Sequence, residues 1–395
     1  MSIPIADHVR DIPKSGIRDF FEIVQSMTDV ISLGIGEPDF VTPWHIREAA
    51  IYSLEKGRTG YTSNLGLPRL RRAIADTVQK ATGVRYDPNS EILVSVGVSE
   101  AIDIALRAIL NPGDEVLYHE PCYVSYNPSV ALAFGVARAI STRAEDEFAL
   151  RADALEAAIG PRTKAVMLNF PTNPTGGVMD RAQIEAIADV CIRHNLTVLT
   201  DEIYSELTYD GREHFSIVSV PGMKERTIYL HGLSKAYAMT GFRVGYACGP
   251  NAVIEAMMKI HQYSILCTSI MSQDAATEAL ERGEPAMLRM RREYELRRNY
   301  IVSSLNDMGL ETFMPRGAFY VFPKITSTGL TSHEFSMNLL REKRVAVVPG
   351  TAFGKSGEGH VRCSYATGLD QIKVAMERIA EFVEETRQGR TRSAA

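Results

Sequence analysis

The sequence predicts an α/β fold, a mainly parallel sheet with helices on both faces, followed by a smaller α+β unit. Two observations carry this expectation. From about residue 90 to 290, short apolar runs alternate with segments of helical period, and strands separated by helices build a parallel sheet. After about residue 285 the pattern changes to a long charged helix, an aromatic-rich run, short strands and a last helix. With 395 residues, 45% of them hydrophobic, the chain can form one large core and a smaller one.

The elements follow in order. Glu91 to Val96 reads as a buried strand, and Ser99 to Leu110 as the next helix. Ser99 is placed to cap that helix, with Ala101, Ile102, Ala105, Leu106 and Ile109 on one apolar face. Further strands are expected at Glu115 to His119, Lys164 to Asn169, Leu196 to Thr200, Thr227 to Leu230 and Arg243 to Cys248. Asp180 and Gln183 stand in capping-box spacing at the start of a helix reaching His194. In such sheets ligands gather at the carboxyl ends of the strands.

In the second part a helix is expected over Met287 to Leu305, continuous with the element before it and joining the two parts without a loose hinge. An aromatic strand follows at Gly317 to Phe322, and Thr331 with Glu334 opens a helix to Glu342. Strands at Val345 to Val348 and His360 to Tyr365 precede a helix from Leu369 to about Glu385, with a frayed basic tail from Arg387. The expected division is 1–46 as an N-terminal segment packing with the small domain, 47–285 as the large domain and 286–395 as the small one.

A net charge of −5 with 23% charged residues provides no basic field for nucleic acid or an anionic membrane. Five scattered cysteines without a CxxC pair or a His/Cys cluster point to free thiols in a reducing cytoplasm and to no metal site. No apolar run is long enough to span a bilayer, and Met1 to Lys14 lacks the apolar core of a signal segment.

The chemistry sits at the predicted strand ends. Between His231 and Gly245 a lysine, Lys235, follows an apolar run, and Arg243 comes eight positions later. A lysine held at a strand end and stripped of water stays partly neutral, as imine chemistry requires. Arginine offers a planar fork to phosphate. Val96-Gly97-Val98-Ser99 turns from strand to helix, an arrangement whose backbone N–H groups favour an anion. In Asn169-Phe170-Pro171-Thr172-Asn173-Pro174-Thr175-Gly176, prolines on both sides of Asn173 hold its amide on a rigid turn. Asp201, in Thr200-Asp201-Glu202-Ile203-Tyr204, is an acid at the end of a buried strand and calls for a partner. Arg362 lies inside an apolar strand and would otherwise need an acid of its own.

In order and spacing, over nearly the whole chain, these motifs resemble those of the pyridoxal-phosphate (PLP) aminotransferases of fold type I, class I/II, and within them the aromatic-amino-acid and aspartate subgroup. The resemblance implies a seven-stranded, mainly parallel large-domain sheet and PLP held as a Schiff base on Lys235, which also moves the substrate proton. It implies that Asp201 faces the pyridinium nitrogen, that Asn173 and Tyr204 meet the ring phenolate and that Tyr123 stacks on the ring. Val98, Ser99, Ser234 and Arg243 would hold the phosphate end. Gly36, in Leu33-Gly34-Ile35-Gly36-Glu37-Pro38, Asn173 and Arg362 would bind the substrate, Gly36 and Arg362 at its carboxylate. Tyr61 would reach the phosphate of a partner subunit, which implies a homodimer with shared sites. The implied substrates are an L-amino acid, with aromatic side chains favoured by Ile17 and Ile35, and a 2-oxo acid such as 2-oxoglutarate. An aspartate or broad-specificity enzyme, or a C–S lyase of the same fold, is the alternative. Trp44, His45 and His261 read as structural. A dinucleotide dehydrogenase would want G-x-G-x-x-G where only Gly97 stands.

Overall fold

The computed structural model describes residues 3–10, 12 and 27–393, with side chains through residue 389. Seven strands form the main sheet: β1 (Ile92–Ser95), β2 (Glu115–Glu120), β3 (Val136–Ser141), β4 (Thr163–Leu168), β5 (Thr197–Asp201), β6 (Thr227–Gly232) and β7 (Gly245–Cys248). Their spatial order is β1-β7-β6-β5-β4-β2-β3. Only β7 runs against its neighbours β1 and β6; the other pairs are parallel. Side chains alternate between faces as the pleat requires. Leu93, Leu199, Leu230 and Ala247 pack with the helix Gly97–Ile109 on one side. Val94, Tyr229 and Tyr246 pack with Leu70, Ile74 and Ala276 on the other.

Six of these strands were expected, and β3 was not. It is the edge strand and mostly solvent-exposed, so it lacks the apolar run by which a buried strand is recognised. Asp180 and Gln183 form the expected reciprocal cap, each bond 2.8 Å. Ser99 does not cap its helix. That helix begins at Gly97, and the Val96 N–H is taken by the Glu100 carboxylate at 2.5 Å, which leaves Ser99 inside the first turn.

The expected continuous connection is two helices, Ile270–Arg282 and Glu284–Asp307, meeting at Gly283. Pro285 has no N–H to extend the first helix but suits the first turn of the second. Beyond it, Val348–Pro349, Val361–Ser364 and Tyr320–Val321 form a three-stranded antiparallel sheet. Val345–Ala346 instead pairs in parallel with Ile31–Ser32, so the expected strand at 345–348 is shared between two sheets. Leu33 is buried in the same core as Phe319, Val345 and Ile372. The last helix runs from Leu369 to Ser393, past the expected end. Arg387 anchors it by donating to the carbonyls of Met308 and Gly309 and to the Ser327 hydroxyl. Thr331 and Glu334 form their box as expected.

Among the described residues no helix is long and apolar enough to cross a membrane, and no group of side chains could hold a metal ion. All five cysteines are free.

Candidate active site

A cavity of about 460 Å³ opens where the carboxyl ends of β4, β5 and β6 meet the start of the helix Gly97–Ile109. Eleven of the twelve site residues expected from the sequence line it: Gly36, Val98, Ser99, Tyr123, Asn173, Asp201, Tyr204, Ser234, Lys235, Arg243 and Arg362. Tyr61 does not; it is 85% exposed, away from this cavity. Ile35 is also exposed, and Ile17 lies outside the described residues.

At the deep end Asp201 closes β5. Its Oδ2 accepts from the Tyr126 hydroxyl at 2.8 Å and its Oδ1 from the Ile203 N–H at 3.2 Å. Burial pushes the carboxyl up to about 6, against the pull of those two donors and of His231. Among the described residues no lysine or arginine pairs with it. A cation held against such a carboxylate would restore its charge. Asn169 joins the strand ends, donating from Nδ2 to the Asp201 carbonyl at 2.9 Å and accepting from the Asn173 N–H at 3.2 Å.

Lys235 lies just past the end of β6, partly buried, and its Nζ donates to the Gly36 carbonyl at 2.7 Å. Burial draws its pKa down to about 8; Glu37 resists this, while Arg362 and Arg243 add to it. A larger fraction of the amine is therefore neutral near pH 8 than for a lysine in water, which is what a nucleophile or proton acceptor needs. Gly36 is required here because a Cβ would come within 2.6 Å of the Tyr320 hydroxyl.

At the opposite end the backbone is packed too tightly for side chains. A Cβ on Gly97 would meet the Arg243 guanidinium at 2.5 Å, and one on Gly245 would meet the Gly97 carbonyl carbon and the Val98 nitrogen at 2.5 Å. The Arg243 fork thus lies against the first turn of the helix, whose leading N–H groups have no partner within it. Arg243 adopts a left-handed conformation, φ 54°, and donates to the Thr240 carbonyl at 3.2 Å. Helix start, guanidinium and the Ser234 hydroxyl line one cavity and could hold a phosphate dianion there.

Arg362 is buried on the strand Val361–Ser364. It donates to Asn173 Oδ1 at 2.8 Å and to the Gly34 carbonyl at 2.5 Å. The sequence suggested an arginine with no partner; the structure gives it neutral acceptors and, among the described residues, no acid. Among the described residues its buried Nε has no hydrogen-bond partner. The guanidinium carbon stands 4.6 Å from the Tyr320 ring centre and 4.8 Å from that of Phe353. Burial lowers its pKa, so a carboxylate that enters would meet a poorly solvated cation.

Tyr126, Asn169, Gly34 and Tyr320 were not singled out from the sequence. Tyr204, expected to face the cofactor together with Asn173, shares a 2.8 Å hydroxyl–hydroxyl bond with Tyr320. Tyr123, whose ring was expected to stack on the cofactor, meets Tyr126 edge-on at 5.7 Å.

Comparison with known proteins settles the kinship. Residues 28–379 match the family Aminotransferase class I and II. The chain belongs to that family. Relatives include an aspartate aminotransferase of Pyrococcus abyssi, 47% identical over 96% of this chain and 98% of that protein. An aromatic-amino-acid aminotransferase of Thermococcus litoralis is 44% identical over the same shares of the two chains. The crystal structure of an aromatic aminotransferase from Pyrococcus horikoshii superposes with a TM-score of 0.89 at 47% identity, covering 93% of this chain and 99% of that one. The protein is a PLP-dependent aminotransferase of fold type I. Its cavity fits that cofactor: a helix start and guanidinium that could hold a phosphate at one end, a buried carboxylate with no lysine or arginine partner among the described residues at the other, and a lysine of lowered pKa between them.

Proposed function

We propose that this aminotransferase takes the amino group of an L-amino acid, with aromatic side chains preferred, and passes it to a 2-oxo acid such as 2-oxoglutarate. The observation that carries the reading is the placement of Lys235 Nζ, with its lowered pKa, in one cavity with Asp201 and Arg362. When bound, PLP supplies an electrophilic carbon and a ring that takes up charge from the substrate Cα. Lys235 would hold the cofactor through its amine and, when free, would take the proton from the substrate Cα and return it. The Asp201 carboxylate would hold the proton on the ring nitrogen, with Tyr126 orienting its Oδ2. Asn173 and Tyr204 direct an amide and a hydroxyl toward the ring oxygen, while Tyr123 covers the ring face. The first turn at Val98 and Ser99, with Ser234 and Arg243, binds the phosphate.

Arg362 is proposed to grip the α-carboxylate beside Gly36, held in place by Asn173 and the two flanking rings. Only Arg243 and Arg362 supply arginine to the cavity among the described residues. With one at the phosphate and the other at the α-carboxylate, no further guanidinium among the described residues of this chain is left to favour a second carboxylate on the donor. That supports an aromatic donor. The aspartate reading is kept because a close relative bears that name. A panel of donors assayed with 2-oxoglutarate decides between them: phenylalanine or tyrosine should exceed aspartate in kcat/KM, and aspartate ahead of both would overturn the preference. Arg362→Lys should weaken every donor alike, by a factor corresponding to about 2–5 kcal/mol for a truncated buried ion pair.

We further propose a homodimer in which Tyr61 completes the partner's phosphate site. Tyr61, Tyr52, Trp44 and Tyr263 are large rings left facing solvent in one chain, more than a lone surface needs. Mixing Tyr61→Phe with Lys235→Ala chains tests this, since one of the two sites in each mixed dimer would then hold both intact groups. Activity above that of either parent is expected; no gain after proven exchange would contradict shared sites.

A further inference from the structure

His261 and Glu100 lie outside the cavity, yet they brace the turn on which the phosphate cradle depends. Glu100 stands in the first turn of the helix Gly97–Ile109. Its Oε2 accepts the Val96 N–H at 2.5 Å, and its Oε1 is 2.6 Å from His261 Nδ1. Val96 is the residue from which the chain swings into Gly97, so this carboxylate fixes where the following N–H groups of Val98 and Ser99 point. His261 is wholly buried near the end of the helix Asn251–Ser264, which packs against the first. Its carbonyl accepts both the Ile265 and Leu266 N–H groups, at 2.9 and 3.0 Å, which fixes the backbone that carries the imidazole. With Nδ1 donating to a carboxylate, Nε2 is left buried and, among the described residues, without a hydrogen-bond partner. Among the described residues the polar contact of the imidazole is therefore with Glu100.

We infer that His261 and Glu100 are positioning residues for the cofactor phosphate: together they lock the Val96–Ser99 turn so that its N–H groups already point at the phosphate before it binds. Preorganised donors bind better than donors that must first be ordered. A negative charge at this point also favours the helix start without occupying the N–H groups nearest the phosphate.

With the phosphate placed at this turn, as proposed above, the effect must discriminate between PLP and pyridoxal, which lacks the phosphate. The full chain, freed of cofactor, is titrated with each. His261→Phe keeps a ring and removes the donor; it should weaken PLP about tenfold, as expected for loss of a charge-assisted hydrogen bond, and leave pyridoxal within about twofold. His261→Asn, whose amide nitrogen sits close to the Nδ1 position, should recover most of the loss. The phosphorus resonance of bound PLP should move in His261→Phe and return in His261→Asn. If His261→Phe fails to fold, Glu100→Gln, which leaves one acceptor for two donors, carries the same comparison. Arg243→Ala is the control. If Arg243→Ala lowers the PLP-to-pyridoxal ratio and the His261 and Glu100 variants do not, the brace is overturned. If Arg243→Ala also leaves the ratio unchanged, the phosphate placement itself is overturned. Equal weakening of both ligands in His261→Phe would mark the pair as merely structural and contradict the inference.

Discussion

Lys235→Ala should lose essentially all transamination while the fold and the phosphate cradle persist. Among the described residues the polar contact of Lys235 is to the Gly36 carbonyl, a neutral group, so its removal leaves no buried charge behind. The loss combines two roles. Positioned proton transfer alone is worth about 10²–10⁴-fold, and the covalent anchor is removed as well. The variant should still take up PLP through Arg243 and the turn at Val98, with an absorption spectrum different from that of the parent. Steady-state assays with any good donor are sufficient. Turnover above about one per cent of the parent, on the scale expected for a positioned acid–base group, would place the proton-transfer group elsewhere.

Asp201→Asn is the second large effect. The amide keeps the shape; its one oxygen can accept from the Ile203 N–H, and the Tyr126 hydroxyl, which can also accept, can turn to meet the amide NH2, so the cavity should survive. It cannot hold a proton on a pyridine nitrogen. In the protein without cofactor, burial lifts the Asp201 carboxyl to about 6. A cation bound against Oδ2 favours the ionised form and brings that value down, so the pair should be fully charged at neutral pH. Each unit of pKa lost from the ring nitrogen corresponds to about tenfold, and an opposite charge in contact is worth about one to three units. A fall in kcat of roughly 10²-fold or more follows. Near-normal rates in Asp201→Asn would show that the ring nitrogen does not depend on this carboxylate.

Lys235, Asp201, Asn173 and Arg362 were legible from the sequence because each sits in a short motif at or beside a strand, where local spacing and chemistry coincide. Tyr126 was not, since its hydroxyl matters only through Asp201, 75 residues further on. Tyr320 likewise reaches Tyr204 across 116 residues, and nothing in the run Gly317 to Phe322 shows which of its rings enters the site. The parallel core was read from its apolar runs, whereas exposed β3 has no such run. Ser99 looked like a cap because serine favours that role. The side chain four residues beyond Val96, Glu100, met the orphan N–H instead, and the contact to His261 that holds it spans 161 residues. What escaped the sequence is therefore mostly long-range hydrogen bonding, which leaves no periodic trace.

The central claim is that Lys235 carries the cofactor. Reducing the purified, cofactor-loaded enzyme with borohydride and mapping its peptides by mass tests it directly. The expected result is one pyridoxyl adduct, on Lys235 within the segment His231 to Arg243. An adduct on a different lysine, with Lys235 unmodified, would contradict the account.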